Sequence, residues 1–73
     1  MFKEFDRIVL TKDLPESNLV KGDIGTIVQV YENGRGYEVE FMTLNGGTVS
    51  VETLTADQVR QIHPKEIANA RAV

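Results

Sequence analysis

Apolar and polar residues alternate with a period of two along most of this chain, a pattern typical of half-buried β-strands rather than helices. The clearest example is Tyr37–Met42, whose odd-numbered residues are apolar and are predicted to face a core. Glu38, Glu40 and Met42 are predicted to project from the opposite, solvent-facing side. The segments predicted as strands are Phe5–Leu10, Thr26–Tyr31, Tyr37–Met42, Thr48–Leu54 and Val59–Ile62.

The same alternation gives a prediction for the fourth strand, Thr48–Leu54. It turns Val49 and Val51 towards the core and turns Ser50 and Glu52 towards solvent. Strands that are consecutive in the chain usually lie side by side, so Glu52 is expected beside the glutamates of the third strand. Together the third and fourth strands predict a solvent-facing sheet surface that carries three glutamates.

Residues that favour turns separate the predicted strands. The dipeptides Asn33-Gly34 and Asn45-Gly46 are of the type preferred in tight hairpins, where the backbone needs positive φ. Before the second strand, Gly22 is suited to positive φ, and Gly25 permits a bulge or a close backbone approach. These signals indicate two hairpins and a strongly bent second strand.

Two further segments connect the predicted strands. Residues 11–18 contain a proline and several turn formers, so they are predicted as a loop with Leu14 and Leu19 as its apolar anchors. Thr55 and Gln58 have the spacing of a capping box. They predict one short 3₁₀ turn before the last strand.

These elements predict an all-β fold, a small five-stranded antiparallel barrel of the SH3-like type. The barrel is expected to occupy residues 1–62. Residues 63–73 are predicted as a short helical or frayed tail, because isolated helices of this length are marginal in water. A rolled sheet leaves few unpaired strand edges. The OB-fold is the less economical alternative, because it usually places a helix where this chain has the second Asn-Gly turn.

Composition narrows the classes of function. The chain has 73 residues, a formal net charge of −3 and no cysteine, which excludes disulfides, thiolate nucleophiles and cysteine-built zinc sites. It has neither an apolar run long enough to span a bilayer nor a signal-peptide pattern, so no membrane association and a cytoplasmic location are expected. A core this small gains stability from association with a partner or with a second copy of the chain, so a homo-oligomer stays open.

The segment Lys21–Val28 resembles the glycine pattern of KOW-type SH3-like barrels in ribosomal proteins and transcription elongation factors, with Gly22, Gly25 and Ile27 at the matching positions. From Phe5–Ile62 the chain more closely resembles a bacterial family of small stand-alone SH3-like domains of unknown function. The segments that carry this resemblance are Val9–Glu16, Lys21–Val28 and Gly36–Phe41. The resemblance implies the barrel fold and no catalytic residue. It also implies that such a domain is itself a small partner encoded beside another protein, in arrangements like toxin–antitoxin pairs.

The residues give no support for a catalytic, metal or cofactor site. His63 is the single histidine, and no nucleophile or acid stands at a spacing that would make it a catalytic base, so it is interpreted as structural or exposed. Asp13 and Glu16, like Glu38 and Glu40, lack the spacing of a calcium loop and are interpreted as solvated acids. The chain is therefore expected to be a non-enzyme without a cofactor.

The predicted acidic sheet surface is the most informative candidate for a binding site. Like charges that face each other across strands destabilise a sheet, and a basic partner protein would remove that repulsion and speed association. We therefore expect a non-catalytic protein-interaction module, a small cognate partner of the antitoxin- or immunity-like kind. The residues expected to contact the partner are Glu38, Glu40, Met42 and Glu52 on the sheet, with Asp13, Glu16 and Arg35 from the loops.

Two alternatives stay open. One is a KOW-like, RNA-associated module that would use Lys12, Lys21, Arg35 and the ring of Tyr37. The negative net charge and the dispersed basic residues argue against nucleic acid as the partner. The other alternative is an accessory barrel subunit of an enzyme complex whose active site lies elsewhere.

Overall fold

In the computed structural model, which describes residues 2–73, the chain folds into antiparallel strands joined by turns and short 3₁₀ segments. The strands are β1 (Arg7–Leu10), β2 (Ile24–Tyr31), β3 (Gly36–Met42), β4 (Thr48–Thr55) and β5 (Val59–Arg60). The 3₁₀ segments are Pro15–Ser17, Glu32–Gly34 and Ala56–Gln58. The predicted all-β class and the 3₁₀ turn before the last strand are confirmed, and two further 3₁₀ segments are added.

The first and last strands are shorter than predicted. β1 starts at Arg7 rather than Phe5, because Phe5 takes a positive φ of 72° that lies outside the β region, and its side chain is 76% exposed. β5 ends after its second residue, because it pairs only with Val9 and Leu10 at the end of β1.

The strands form one sheet in the order β4-β3-β2-β1-β5, and every neighbouring pair is antiparallel. Within residues 2–73 no pairing joins β4 to β5, so the sheet is a curled half-barrel with an open seam. The predicted five-stranded, SH3-like architecture is confirmed.

The core lies on one side of the curled sheet. The odd-numbered residues Tyr37, Val39 and Phe41 of β3 are all buried, as their alternation predicts. Leu19 is also buried and exchanges two backbone hydrogen bonds with Leu14. This confirms these leucines as anchors of the first loop, which is the segment 11–23 between β1 and β2. The buried cluster is made of Ile8, Leu10, Leu19, Ile27, Tyr37, Val39, Phe41, Leu54 and Val59.

A one-residue bulge in β4 reverses the alternation predicted for that strand. Phe41 pairs with Ser50 and Met42 pairs with Thr48, so Val49 is an extra residue on β4. Because side chains alternate between the two faces of a strand, a shift by one residue exchanges the faces of all the residues that follow.

This exchange contradicts the prediction at three positions of β4. Val51 pairs with Glu40 on the solvent side and is half exposed, so the prediction that it faces the core is wrong. Ser50 and Glu52 pair with core residues of β3, so the prediction that they face solvent beside Glu40 is also wrong. Val49 is partly buried against the core, as predicted.

The C-terminal segment, residues 63–73, contains no helix and has no regular secondary structure beyond a turn at 64–65. Two ion pairs attach it to the barrel. Glu66 pairs with Arg60 of β5, and Arg71 reaches back to Asp23 in the first loop. The tail was predicted to be either a short helix or frayed, and the structure shows no helix in it. No helix within residues 2–73 has the length and apolar character needed to cross a membrane.

Candidate partner-binding site

β4 forms one open edge of the sheet. It pairs with β3 on one side, and within residues 2–73 it has no strand partner on the other. In an antiparallel pair every second residue turns its N–H and C=O away from the neighbour, so β4 presents unpaired backbone groups along this edge. Its last residue is capped, because the N–H of Thr55 donates to the Gln58 side chain at 2.8 Å, as the predicted capping box requires.

Two carboxylates on the solvent side of the sheet lean towards this edge. The hydroxyl of Thr53 donates to Glu38, and the hydroxyl of Thr48 donates to Oε2 of Glu40 at 2.7 Å. Both threonines belong to β4, whereas both glutamates belong to β3. The hydrogen bonds therefore hold the negatively charged carboxylates of β3 over the edge strand.

Met42 completes the solvent side of this site. It follows Glu38 and Glu40 on the same face of β3, pairs with Thr48 of β4 and is 47% exposed. A flexible thioether side chain at such a position is an adaptable apolar contact beside two charged groups.

A third carboxylate approaches the edge from the core side. Glu52 lies in β4, where it accepts hydrogen bonds from the hydroxyl of Ser17 at 2.6 Å and from the hydroxyl of Ser50. The prediction of one sheet face with three glutamates is thus corrected: Glu38 and Glu40 lie on one side of β4, and Glu52 lies on the other.

The loop residues predicted to contact a partner fall into different places. Oδ1 of Asp13 accepts the backbone N–H of Lys21 at 2.8 Å, so Asp13 shapes its own loop. Glu16 is exposed, and the next residue, Ser17, contacts Glu52 of β4. Arg35 is exposed and precedes Gly36, which pairs with the last residue of β4. Glu16 and Arg35 are therefore each next in the chain to a residue that contacts the edge strand, whereas the recorded contact of Asp13 is within its own loop.

The residues of the RNA-associated alternative are not arranged as a stacking platform. Tyr37 is 3% exposed and its ring packs edge-on against Phe2 with a centroid distance of 5.6 Å, so the prediction that it could stack on a base is wrong. Nζ of Lys12 lies 3.3 Å from a carboxylate oxygen of Asp57. The hydroxyl of Thr55 and the ammonium of Lys12 both donate to Asp57 and hold its pKa below the ordinary value.

His63 and the acidic side chains do not form a metal-binding cluster in the part of the chain that the structure describes. His63 is exposed at the start of the tail, where its backbone N–H donates to Glu66. Among residues 2–73 no three histidine or acidic side chains stand close enough to share a metal ion. The strand β4 itself separates Glu52 from Glu38 and Glu40.

The hydroxyl residues of this site were not identified from the sequence. Thr48 and Thr53 read as ordinary strand formers, and periodicity gives no indication that each holds a glutamate of the neighbouring strand. Ser17 contacts Glu52 across 35 positions of chain. No local spacing rule predicts such a pair, so only the fold reveals it.

Comparison with known proteins gives a family without an assigned activity. No curated protein and no solved structure matches the chain significantly. The family model described as a domain of unknown function (DUF4926) matches residues 4–61, a segment that contains all five strands and stops before the tail. The chain therefore belongs to this family of domains of unknown function (DUF4926).

Proposed function

We propose that this domain is a non-catalytic protein-interaction module that accepts an extended, basic segment of another protein along the open edge of β4. The observation that carries the proposal is the placement of three carboxylates around an unpaired edge strand. Glu38 and Glu40 lean over β4 from the solvent side, and Glu52 lies on its core side.

Strand addition explains why the backbone of β4 and its flanking charges belong to one site. An extended peptide that pairs with a sheet edge gains affinity from main-chain hydrogen bonds and specificity from its alternating side chains. Those side chains project to both faces of the enlarged sheet. A segment with lysine or arginine on either face would therefore meet a carboxylate, and charge complementarity would also speed its association.

The same carboxylates disfavour a second copy of the chain as the partner. Two β4 edges in antiparallel contact would bring glutamates of one copy close to glutamates of the other, and like charges across strands are destabilising. Charged groups at a sheet edge are a common protection against self-pairing. The site therefore discriminates between a basic strand and its own acidic edge.

In biological terms, we propose a small cognate partner that binds and neutralises or positions a second protein in a bacterial cytoplasm. The resemblance to stand-alone SH3-like domains supports this role. The RNA-associated alternative receives less support, because Lys12 faces Asp57 and Tyr37 is buried. Nothing in the geometry favours the accessory-subunit alternative over either of them.

A short synthetic peptide of alternating lysine and valine tests the recognition mode directly. With ¹⁵N-labelled protein at low salt, we expect saturable chemical-shift changes at the amides of β4 and slower hydrogen exchange at its edge-facing N–H groups. A version of the peptide that is N-methylated at every residue keeps the charge but loses the N–H donors of both edges, and it should not produce the protection. Equal effects of both peptides would show simple charge attraction and would contradict strand addition.

Charge variants test the residues. Replacing Glu38→Lys and Glu40→Lys together should abolish binding of the lysine–valine peptide. The matched control, Glu4→Lys with Glu32→Lys, makes the same change in net charge at exposed positions outside β3 and β4. If the control weakens binding as much as the site variant does, the carboxylates around β4 are not the interface.

A further inference from the structure

The first loop holds an arginine side chain in a specific way. Nε of Arg71 donates to Oδ1 of Asp23 at 2.9 Å, and its Nη2 donates to Oδ2 of Asp23 at 2.5 Å. Nη2 also donates to the backbone carbonyl oxygen of Asn18 at 3.0 Å. Two carboxylate oxygens and one carbonyl oxygen thus accept hydrogen bonds from one guanidinium. The guanidinium holds the pKa of Asp23 below its ordinary value.

The groups that receive this arginine are ordered by contacts that do not involve the tail. Oδ2 of Asp23 accepts the N–H of Val20 at 2.9 Å, which fixes the carboxylate. The backbone of the same loop is tied to β1, because Leu10 donates to the carbonyl of Asp23 and accepts the N–H of Gly22. Asn18 is in the left-handed region with a φ of 59°. The receiving site is therefore built into the barrel.

The tail, by contrast, is held thinly. Glu66 anchors its start through Arg60 and the backbone of His63. Beyond Glu66, the contacts of Arg71 are the only hydrogen bonds found between the tail and the barrel in the part of the chain described. Ile67 is 92% exposed, so it makes no apolar anchor. The attachment of the tail beyond Glu66 therefore depends on the contacts of this one side chain, and another arginine that takes the same acceptors would release it.

We propose that Asp23, together with the Asn18 carbonyl and the Val20 amide, is an arginine-binding site of the domain. In this proposal Arg71 is a tethered occupant, which an arginine-bearing segment of a partner protein displaces. The site goes beyond the proposed edge pairing, because none of its residues belongs to β4. The receiving residues lie inside the segment matched by the family, whereas Arg71 lies outside it.

The geometry selects arginine over lysine. A guanidinium offers several N–H donors in a fixed plane, so it satisfies both oxygens of Asp23 and the Asn18 carbonyl together. A lysine ammonium is a single point of charge and cannot span the same three acceptors in this arrangement. A tethered Arg71 also competes at a high effective concentration, so a displacing segment needs contacts in addition to its arginine.

The test uses the full chain carrying Arg71→Ala and, as the probe, a synthetic peptide with the sequence of residues 63–73. In ¹⁵N spectra the peptide should shift the amides of Val20 and Asp23 in a saturable way. Binding to wild-type protein should be at least ~10-fold weaker, because the tethered arginine occupies the site. A peptide with lysine in place of arginine, or an Asp23→Asn, Arg71→Ala protein, should give no saturable shift.

A second readout follows the tail itself. Arg71→Ala should lower the heteronuclear NOE of residues 67–73 while leaving the amide shifts of β3 unchanged, since the barrel keeps its fold. Equal binding of the arginine and lysine peptides would overturn the proposal. So would equal binding to wild-type and variant protein, the absence of binding to the variant, or a tail whose mobility is unchanged.

Discussion

At the scale of single residues, Gly25 marks a close approach between β2 and the core. A Cβ atom placed on it would lie 2.5 Å from Cγ1 of Val39 and 2.9 Å from Cε1 of Phe41. Both neighbours are buried side chains of β3 and have little room to move. The glycine is therefore needed for close packing, which is one of the two roles that its position in the sequence indicates.

Gly25→Ala should lower the free energy of unfolding by about 1–3 kcal/mol, the usual cost of forcing a methyl group into a packed core. Urea denaturation followed by circular dichroism measures the change. Gly36→Ala is the matched control, because its Cβ would meet its nearest atom, the carbonyl oxygen of Leu54, at an ordinary 3.5 Å. If both variants lose the same stability, the packing argument for Gly25 does not hold.

Glu66 makes the attachment of the tail dependent on pH. The hydrogen bonds from the Arg60 guanidinium, and next from the backbone of His63, lower the pKa of Glu66 from 4.5 to about 2. A carboxylate with a lowered pKa stabilises the attached state fully when the pH is above the ordinary pKa of the group. This contribution is lost as the pH falls through the lowered pKa. We therefore expect the start of the tail to detach between pH 4.5 and about 2.

Amide shifts of residues 63–66, recorded from pH 6 downwards, would follow this detachment. Glu66→Gln removes the charge and should give tail shifts at pH 6 that resemble those of wild-type protein at the acidic end of the titration. A wild-type tail that releases at a pH above 5 would contradict the assignment to Glu66.

At the scale of elements, β3 and β4 show where periodicity predicts structure and where it does not. The alternation of β3 was predicted correctly, because β3 itself has no extra residue between Gly36 and Phe41; the irregularity in its pairing with β2 places the extra residue, Val28, on β2. In β4 the same rule failed beyond Val49, where one extra residue changes the faces of Val51 and Glu52. A bulge of this kind is set by pairing with the neighbouring strand, so the sequence of β4 alone does not reveal it.

Two valines with different surroundings test the bulge. Val51→Thr should change the free energy of unfolding by less than about 0.5 kcal/mol, because Val51 is half exposed. Val39→Thr places a hydroxyl in a fully buried position and should cost about 1–3 kcal/mol. Urea denaturation of both variants gives the comparison. A large loss for Val51→Thr would mean that Val51 faces the core, as the simple alternation predicts.

The tail shows a different limit of sequence analysis. Its helical or frayed character could be argued from its length, but its attachment could not. Arg71 and Asp23 are separated by 48 positions, and neither residue carries a motif that would identify the other. Their pairing depends on the path of the chain after β5. The arginine site therefore became visible only with the fold.

At the scale of the whole molecule, the half-barrel leaves β4 exposed as a long edge with a single charged residue of its own, Glu52. Such an edge would pair readily with other strands, including a second β4, unless something opposes it. Glu38 and Glu40 of β3 add two negative charges beside this edge, because threonines of β4 hold their carboxylates over the strand. The arrangement that is proposed to attract a basic strand therefore also keeps copies of the domain apart.

Removing these charges without changing side-chain shape should release self-association. The variant Glu38→Gln, Glu40→Gln, Glu52→Gln is expected to dimerise at lower protein concentration than wild type, with about 0.2–1 kcal/mol gained for each pair of like charges that no longer face each other. Sedimentation velocity over a concentration series measures the effect. The control Glu4→Gln, Asp13→Asn, Glu32→Gln makes the same change in net charge outside β3 and β4, and the asparagine keeps an oxygen to accept the N–H of Lys21. Equal association of both variants would show that net charge alone causes the effect. If the site variant does not associate, something other than these carboxylates keeps the edge of β4 unpaired.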